Sequence, residues 1–284
     1  AYFNEHCIFL DQKHIPMIIN QQTLINLVDI EKQLPEYFVG SNADLPIVGG
    51  SMLAHEHYQG GRHIFPMMKA KIKKEIYFEK YPEVKAGIVD WPMSDLRLIS
   101  KNSLDLIDLG SKIINFWDHY SDPARQIKAF EGNSKHHTVT PIMHRKGKSF
   151  ILDLVLRDNN TSDEYPLGIF HPHAELWHIK KENIGLIEVM GRAILPGRLK
   201  GELEEVRKYL LNQNNQIADS HLDWARKLKT DSQITKENVD QILQQALVEI
   251  FDQVLECAGV FKNNEDGEIG WQKFTDALIS EVDR

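Results

Sequence analysis

Gly49-Gly50-Ser51-Met52-Leu53-Ala54-His55-Glu56-His57-Tyr58-Gln59-Gly60-Gly61-Arg62-His63 places His55, His57 and Gln59 at every second position, with a glycine pair on each side. Alternate side chains of an extended strand share one face, so two imidazoles and an amide are expected to point the same way. The flanking glycines let a bulky ligand approach the backbone. A neutral imidazole is abundant at pH 7, because the free group titrates near about 6.5. It can attack an α-phosphorus and later leave, dividing one hard transfer into two easier steps. The other ring nitrogen must then be hydrogen-bonded so that the tautomer is fixed, and donors must already face the phosphoryl oxygens. His57 is the candidate nucleophile and Gln59, one pleat along, the candidate donor. Gly49, Gly50 and Ser51 offer backbone amides and a hydroxyl for an anion, and Arg62 adds a cation beyond the second glycine pair. His-x-His is equally a metal-ligand pair, so the spacing leaves His55 open between catalysis and coordination.

The rest of the 284 residues is that of an ordinary globular chain, 42% hydrophobic and 26% charged, with a formal net charge of -8. A negative total gives no general attraction to nucleic acid or to anionic membranes, so phosphate binding falls to local basic groups. No apolar run approaches the roughly 18 residues that span a bilayer. The two cysteines, Cys7 and Cys257, are far apart; no disulfide framework is expected, and a reducing cytoplasm fits.

Outward from the histidine segment, residues 5–19 read as a strand pair broken at Asp11-His14. Thr23 reads as the cap of a helix carrying Leu24, Leu27, Val28 and Leu34, which stops at Pro35. Residues 47–67 read as extended, as do segments around 86–92 and 96–99. A helix follows from Ser103 to about Tyr120, then strands at His137–Met143 and Phe150–Arg157 and a polar loop at 157–166. Ile184–Leu195 reads as extended. From Leu199 onward the spacing is helical, with Val239–Val254 following a cap at Thr235. The expectation is an α+β fold with duplicated halves at 1–92 and 93–197 and a helical C-terminal region at 198–284.

The histidine segment resembles the active-site strand of galactose-1-phosphate uridylyltransferases, a branch of the histidine triad superfamily in which Gln replaces the third His. Ser41-Asn42-Ala43-Asp44-Leu45-Pro46-Ile47-Val48, Lys85–Met93, His137–Ile142, Phe170-His171-Pro172-His173 and His178–Gly191 all resemble the class II, Firmicutes-type members. The resemblance implies histidine-triad-like antiparallel sheets with packed helices. It also implies movement of UMP between UDP-glucose and galactose 1-phosphate through a uridylyl-histidine. On it His57 matches the nucleophile, Gln59 the phosphoryl-stabilising glutamine, and Asn42 and Ser51 positions near the nucleotide phosphates. Members extend upstream of Tyr2, which implies that this chain corresponds to their C-terminal portion, with part of the uridine pocket upstream.

A better-known class of the family binds metal through Cys-x-x-Cys and several histidines. No Cys-x-x-Cys is present here, and Leu152–Leu156 lacks the His-x-His found there in that class. No cofactor is called for. Zinc is the metal that the remaining candidates, His14, His55, His171, His173 and His178, would take. Lys180, Lys181 and Arg192 are candidates for neutralising a sugar phosphate. The expected partners are UDP-glucose, a hexose 1-phosphate and a second copy in a homodimer. The alternatives are another histidine-triad phosphorylase or hydrolase, or a nucleotide- or metal-binding fragment without turnover.

Overall fold

The computed structural model describes residues 2–50 and 52–284. In it the chain runs β1 (Cys7–Leu10), α1 (Gln21–Gln33), β2 (Phe38–Gly40), β3 (His57–Gly61), α2 (Pro66–Lys69), β4 (Ile72–Ile76), β5 (Lys85–Val89), β6 (Asp95–Ser100) and α3 (Ser103–Trp117). A short pair, β7 (Phe130–Glu131) and β8 (Ser134–Lys135), precedes the long strands β9 (His137–Lys146) and β10 (Ser149–Asp158). Helices then follow: α4 (Leu186–Val189), α5 (Leu199–Leu210), α6 (Asp219–Asp231), α7 (Val239–Ala258) and α8 (Glu265–Val282).

Eight strands form one antiparallel sheet in the order β1-β3-β2-β9-β10-β6-β5-β4. Its spine is the β9–β10 hairpin, paired from His137↔Asp158 to Lys146↔Ser149. The turn is tight because Gly147 takes a φ of 60°, which a two-residue hairpin favours glycine to adopt. The period of two along these strands sorts their side chains to opposite layers. Leu152, Leu154 and Leu156 pack with Leu24 and Leu27 of α1, Leu106, Leu109 and Trp117 of α3, and Trp271 and Phe274 of α8. Ile142 and Val155 pack instead with Phe38, Ile184, Leu186, Ile187 and with Phe251 and Val254 of α7. A satellite core of Val206, Leu210, Ala225, Val239 and Leu243 joins α5, α6 and α7. The fold is therefore α+β, with a sheet between helical layers and a helical C-terminal extension. No helix among the described residues is long and apolar enough to cross a membrane.

Several local expectations change. The cap of α1 is Asn20, whose Oδ1 accepts from the N–H of Gln22 and Thr23, while Thr23 Oγ1 accepts from the Asn20 N–H. This reciprocal arrangement makes Thr23 the third helical residue. Residues 15–19 form no strand. Segment 184–195 is not extended throughout: Glu188 accepts from the Gly185 N–H at 3.3 Å and so starts the single turn of α4. Thr235 belongs to the turn before α7, where its hydroxyl accepts from the Glu237 N–H. Position 92 falls between β5 and β6, neighbours in the sheet, and β2 pairs with β9. The stretches 1–92 and 93–197 thus share one sheet.

Candidate active site

His57 opens β3 and is 4% exposed, while His55 precedes the strand in a bend. The bend turns the His55 carbonyl to within 2.9 Å of His57 Nδ1. A carbonyl only accepts, so Nδ1 carries the proton and the His57 lone pair resides on Nε2. Among the described residues, no group bonds that Nε2. His55 itself is turned elsewhere: its Nε2–H donates to the Asp11 carbonyl at 2.9 Å, and its ring stacks on His14 with centroids 4.5 Å apart. The two imidazoles of the motif therefore have different surroundings, because the strand begins only at the second.

Gln59 sits opposite Ile8 in the β1–β3 pairing. Its Oε1 accepts from His6 Nε2 at 3.1 Å, and His6 Nδ1 accepts from the Tyr2 N–H at 3.5 Å. Both bonds are satisfied by one His6 tautomer, so the amide of Gln59 is held with its NH2 as the remaining donor. His6 was not among the sequence candidates. Only the β1–β3 register brings it to Gln59, and no local spacing announces that register. Gln59, Tyr2, Asn42, Gly49, Gly50 and the turn 182–188 line one cleft of about 530 Å³.

Asn42 is buried, and its Oδ1 accepts from the Leu186 N–H at 2.8 Å, tying the cleft's two walls together. Ser51 lies outside the described residues. Packing by itself requires two of the glycines. A Cβ at Gly49 would stand 2.5 Å from the carbonyl oxygens of Ala43 and Leu45, and one at Gly60 would stand 2.7 Å from the Phe38 carbonyl.

The basic candidates are divided between sites. Lys180 is buried with Glu188 at 2.8 Å and also donates to the Ile194 carbonyl at 3.2 Å, directly behind the cleft. Burial pushes the Glu188 carboxyl up from its ordinary range, and Lys180 draws it back in part. Arg157, also missed in the sequence, is fully buried there. Its guanidinium donates to Thr140 Oγ1 and to the Ile184 carbonyl, and desolvation pushes its pKa down to about 10. Lys181 is exposed, its ammonium 4.7 Å from the centre of the Trp177 ring. Arg192 is exposed. Arg62 pairs with Glu5 and Glu36 and lines a different cleft with Lys69, Lys71 and Arg145.

Residues 30–226 match the family described as galactose-1-phosphate uridyl transferase, C-terminal domain. The chain belongs to this family. Its relatives include the galactose-1-phosphate uridylyltransferase of Lactobacillus helveticus, 76% identical over 282 residues that cover 99% of this chain and 58% of that protein. Proteins with the same description from Pediococcus pentosaceus and Lactiplantibacillus plantarum are 58% and 57% identical over 278 residues, covering 98% of this chain and 57% of each. The chain thus spans little more than half the length of the curated relatives it matches.

Against this galactose-1-phosphate uridyl transferase background, the metal candidates scatter. His14 and His55 stack as a pair. His171 is buried between the Pro172 carbonyl and Asn183, and desolvation pushes its pKa down. His178 turns Nδ1 to the Glu175 carbonyl and packs against His221 and Trp224. His173 joins neither; it lies with Glu175 and Cys257, the His/Cys/carboxylate group that among the described residues has metal-ligand proximity.

Proposed function

We propose that this chain carries the uridylyl-transfer chemistry of its family, moving UMP from UDP-glucose to galactose 1-phosphate through a covalent adduct on His57. The observation that supports this most directly is the 2.9 Å bond from His57 Nδ1 to the His55 carbonyl. It orients the imidazole and places the lone pair of its neutral form on Nε2, the atom a phosphorus nucleophile must present. In the first half-reaction Nε2 attacks the α-phosphorus of UDP-glucose. A P–N bond forms, the bond from that phosphorus to the bridging oxygen breaks, and glucose 1-phosphate leaves with the electron pair. In the second, a phosphate oxygen of galactose 1-phosphate attacks the same phosphorus. The P–N bond breaks, its electrons return to Nε2, and UDP-galactose leaves.

Gln59 donates its amide N–H to the phosphoryl oxygens as charge builds on them, and His6 fixes which end of the amide faces them. Removing a donor of this kind typically costs about 10²–10³ in rate, the loss expected for Gln59→Ala. An amide at this position cannot take a proton from water, which favours a sugar phosphate over water as acceptor. The cleft beside Gln59 is the proposed seat of the phosphates, with Asn42 Nδ2 and the amides of Gly49 and Gly50 as further donors. A second subunit completing the pocket is part of the same proposal.

Intact mass after mixing with UDP-glucose tests it. A UMP-sized increment that galactose 1-phosphate discharges, and that His57→Ala lacks, is the expected result. No increment at saturating UDP-glucose would refute the proposal for this chain. An increment in His57→Ala would refute the assignment of the nucleophile.

A further inference from the structure

We propose that His173, Glu175 and Cys257 form a zinc site that staples the 169–178 loop to the end of α7. Its ligand atoms, one from each residue, all lie within 4.8 Å of one another. Zinc bond lengths to nitrogen and sulfur place neighbouring ligands of a tetrahedral site roughly 3.4–3.8 Å apart, so the three need to close by only about 1 Å. Glu175 is exposed on the one-turn segment Ala174–Leu176 and has the freedom to do so.

The second observation is the setting of His173. Its Nε2–H donates to the Ile169 carbonyl at 3.0 Å, which leaves Nδ1 as the nitrogen with the lone pair. Metal-bound histidines are commonly fixed in this way through their other nitrogen. The Tyr165 ring, stacked on His173 at 4.2 Å, holds the imidazole plane. On the opposite wall Cys257 stands in the last turn of α7, in a cavity it shares with His173 and Glu175. The nearby Lys262 ammonium is engaged by the carbonyls of Glu256, Cys257 and Gly259.

Thiolate with imidazole selects zinc over magnesium or calcium, and three protein ligands leave the fourth position to water. Binding converts the Cys257 S–H to a zinc thiolate and releases one proton. The site lies apart from His57: it links the family domain to a helix beyond residue 226, where the family match ends. It also anchors the loop that continues through Lys180 and Asn183 into the cleft.

Cobalt(II) titration of the metal-free protein tests the proposal, with zinc competition to follow. One equivalent of cobalt is expected to give a near-ultraviolet thiolate-to-cobalt band that zinc abolishes. Cys257→Ser should lose that band, and His173→Ala should weaken zinc binding at least ~10-fold, while circular dichroism shows both variants folded. The double variant His14→Ala/His55→Ala should keep the band. Absence of the band from the parent protein, or zinc stoichiometry and affinity unchanged in both Cys257→Ser and His173→Ala, would overturn the assignment.

Discussion

Replacing Lys180 by Met asks whether the floor of the cleft rests on a buried ion pair. The side chains of Lys180 and Glu188 are each 5% exposed, with nitrogen and oxygen 2.8 Å apart. At an effective dielectric of about 20, unit charges at that distance attract by roughly 6 kcal/mol. Much of this is offset by the desolvation of both groups, yet removing one partner strands the other. Losses of about 3–5 kcal/mol are typical when a buried pair is broken from one side. Lys180→Met should therefore lower the urea midpoint by roughly 1 M or more at pH 7, for a slope of about 3 kcal/mol/M. The loss should depend on pH in a definite direction. The folded-state pKa of Glu188 is already raised, chiefly by burial, and loss of the ammonium raises it further. A carboxyl with a raised folded-state pKa costs stability once the unfolded group ionises, because the folded protein must then hold a proton there or bury the charge. The penalty is absent below the unfolded pKa and grows as pH rises toward the folded one. The difference between Lys180→Met and the parent should then be smaller at pH 5 than at pH 7. Adding Glu188→Gln should recover about half of the loss, since the stranded charge is gone. A loss below about 1 kcal/mol, or one equal at the two pH values, would refute the reasoning.

Other expectations follow from single contacts. His6→Ala leaves Gln59 Oε1 without its donor and should slow formation of the His57 adduct about 10-fold with less than about 1 kcal/mol of destabilisation; His6→Gln should restore most of the rate in the same mass-spectrometric time course. Gly49→Ala forces a Cβ against two carbonyl oxygens and should cost about 1–3 kcal/mol by thermal unfolding; a neutral result would mean that segment 43–50 yields. Trp117→Ala removes a fully buried ring that stacks on His137 at 3.9 Å and donates to the Thr138 and Arg157 carbonyls. It should cost about 3–5 kcal/mol in urea unfolding, and less than ~2 kcal/mol would refute its place at the centre of the layer.

The parts of the fold that were legible are those with an internal period. Leu24, Leu27 and Val28 announce α1, the run from Leu104 to Trp117 announces α3, and alternation along 137–143 and 150–157 announces the central hairpin. The interruptions were harder to read. Asn20 caps α1 although Thr23 offers an equally good capping oxygen, because the two residues cap each other and only the geometry ranks them. Gly185 and Glu188 start a helical turn inside an apolar run whose composition suits a strand as well. Of the proposed site, His57 and Gln59 stand out through their alternation in one short stretch, whereas Asn42 is marked only by the resemblance to the family. His6 was not, since it reaches Gln59 through strand pairing across 53 residues. Cys257 carries no local signal, since only the fold brings it to His173 from 84 residues away.

Arg157 and Lys180 would give the proposed phosphate seat a positive floor in a chain whose net charge is -8. Both cations are buried behind the turn that carries Ile184 and Glu188, and Glu188 is the carboxylate buried with them. Glu182 approaches Lys180 only to 3.8 Å and is half exposed, so water screens most of its effect. Even with its pKa pushed down to about 10, Arg157 stays charged at pH 7. Two buried cations and one buried anion leave a single positive charge in excess, fixed in a low-dielectric setting where it acts at longer range than a surface lysine. Burying that excess is costly to the protein alone, and a bound phosphate would offset it. The field is thus set before any ligand arrives, which is the condition for electrostatic stabilisation of a transferring phosphoryl group.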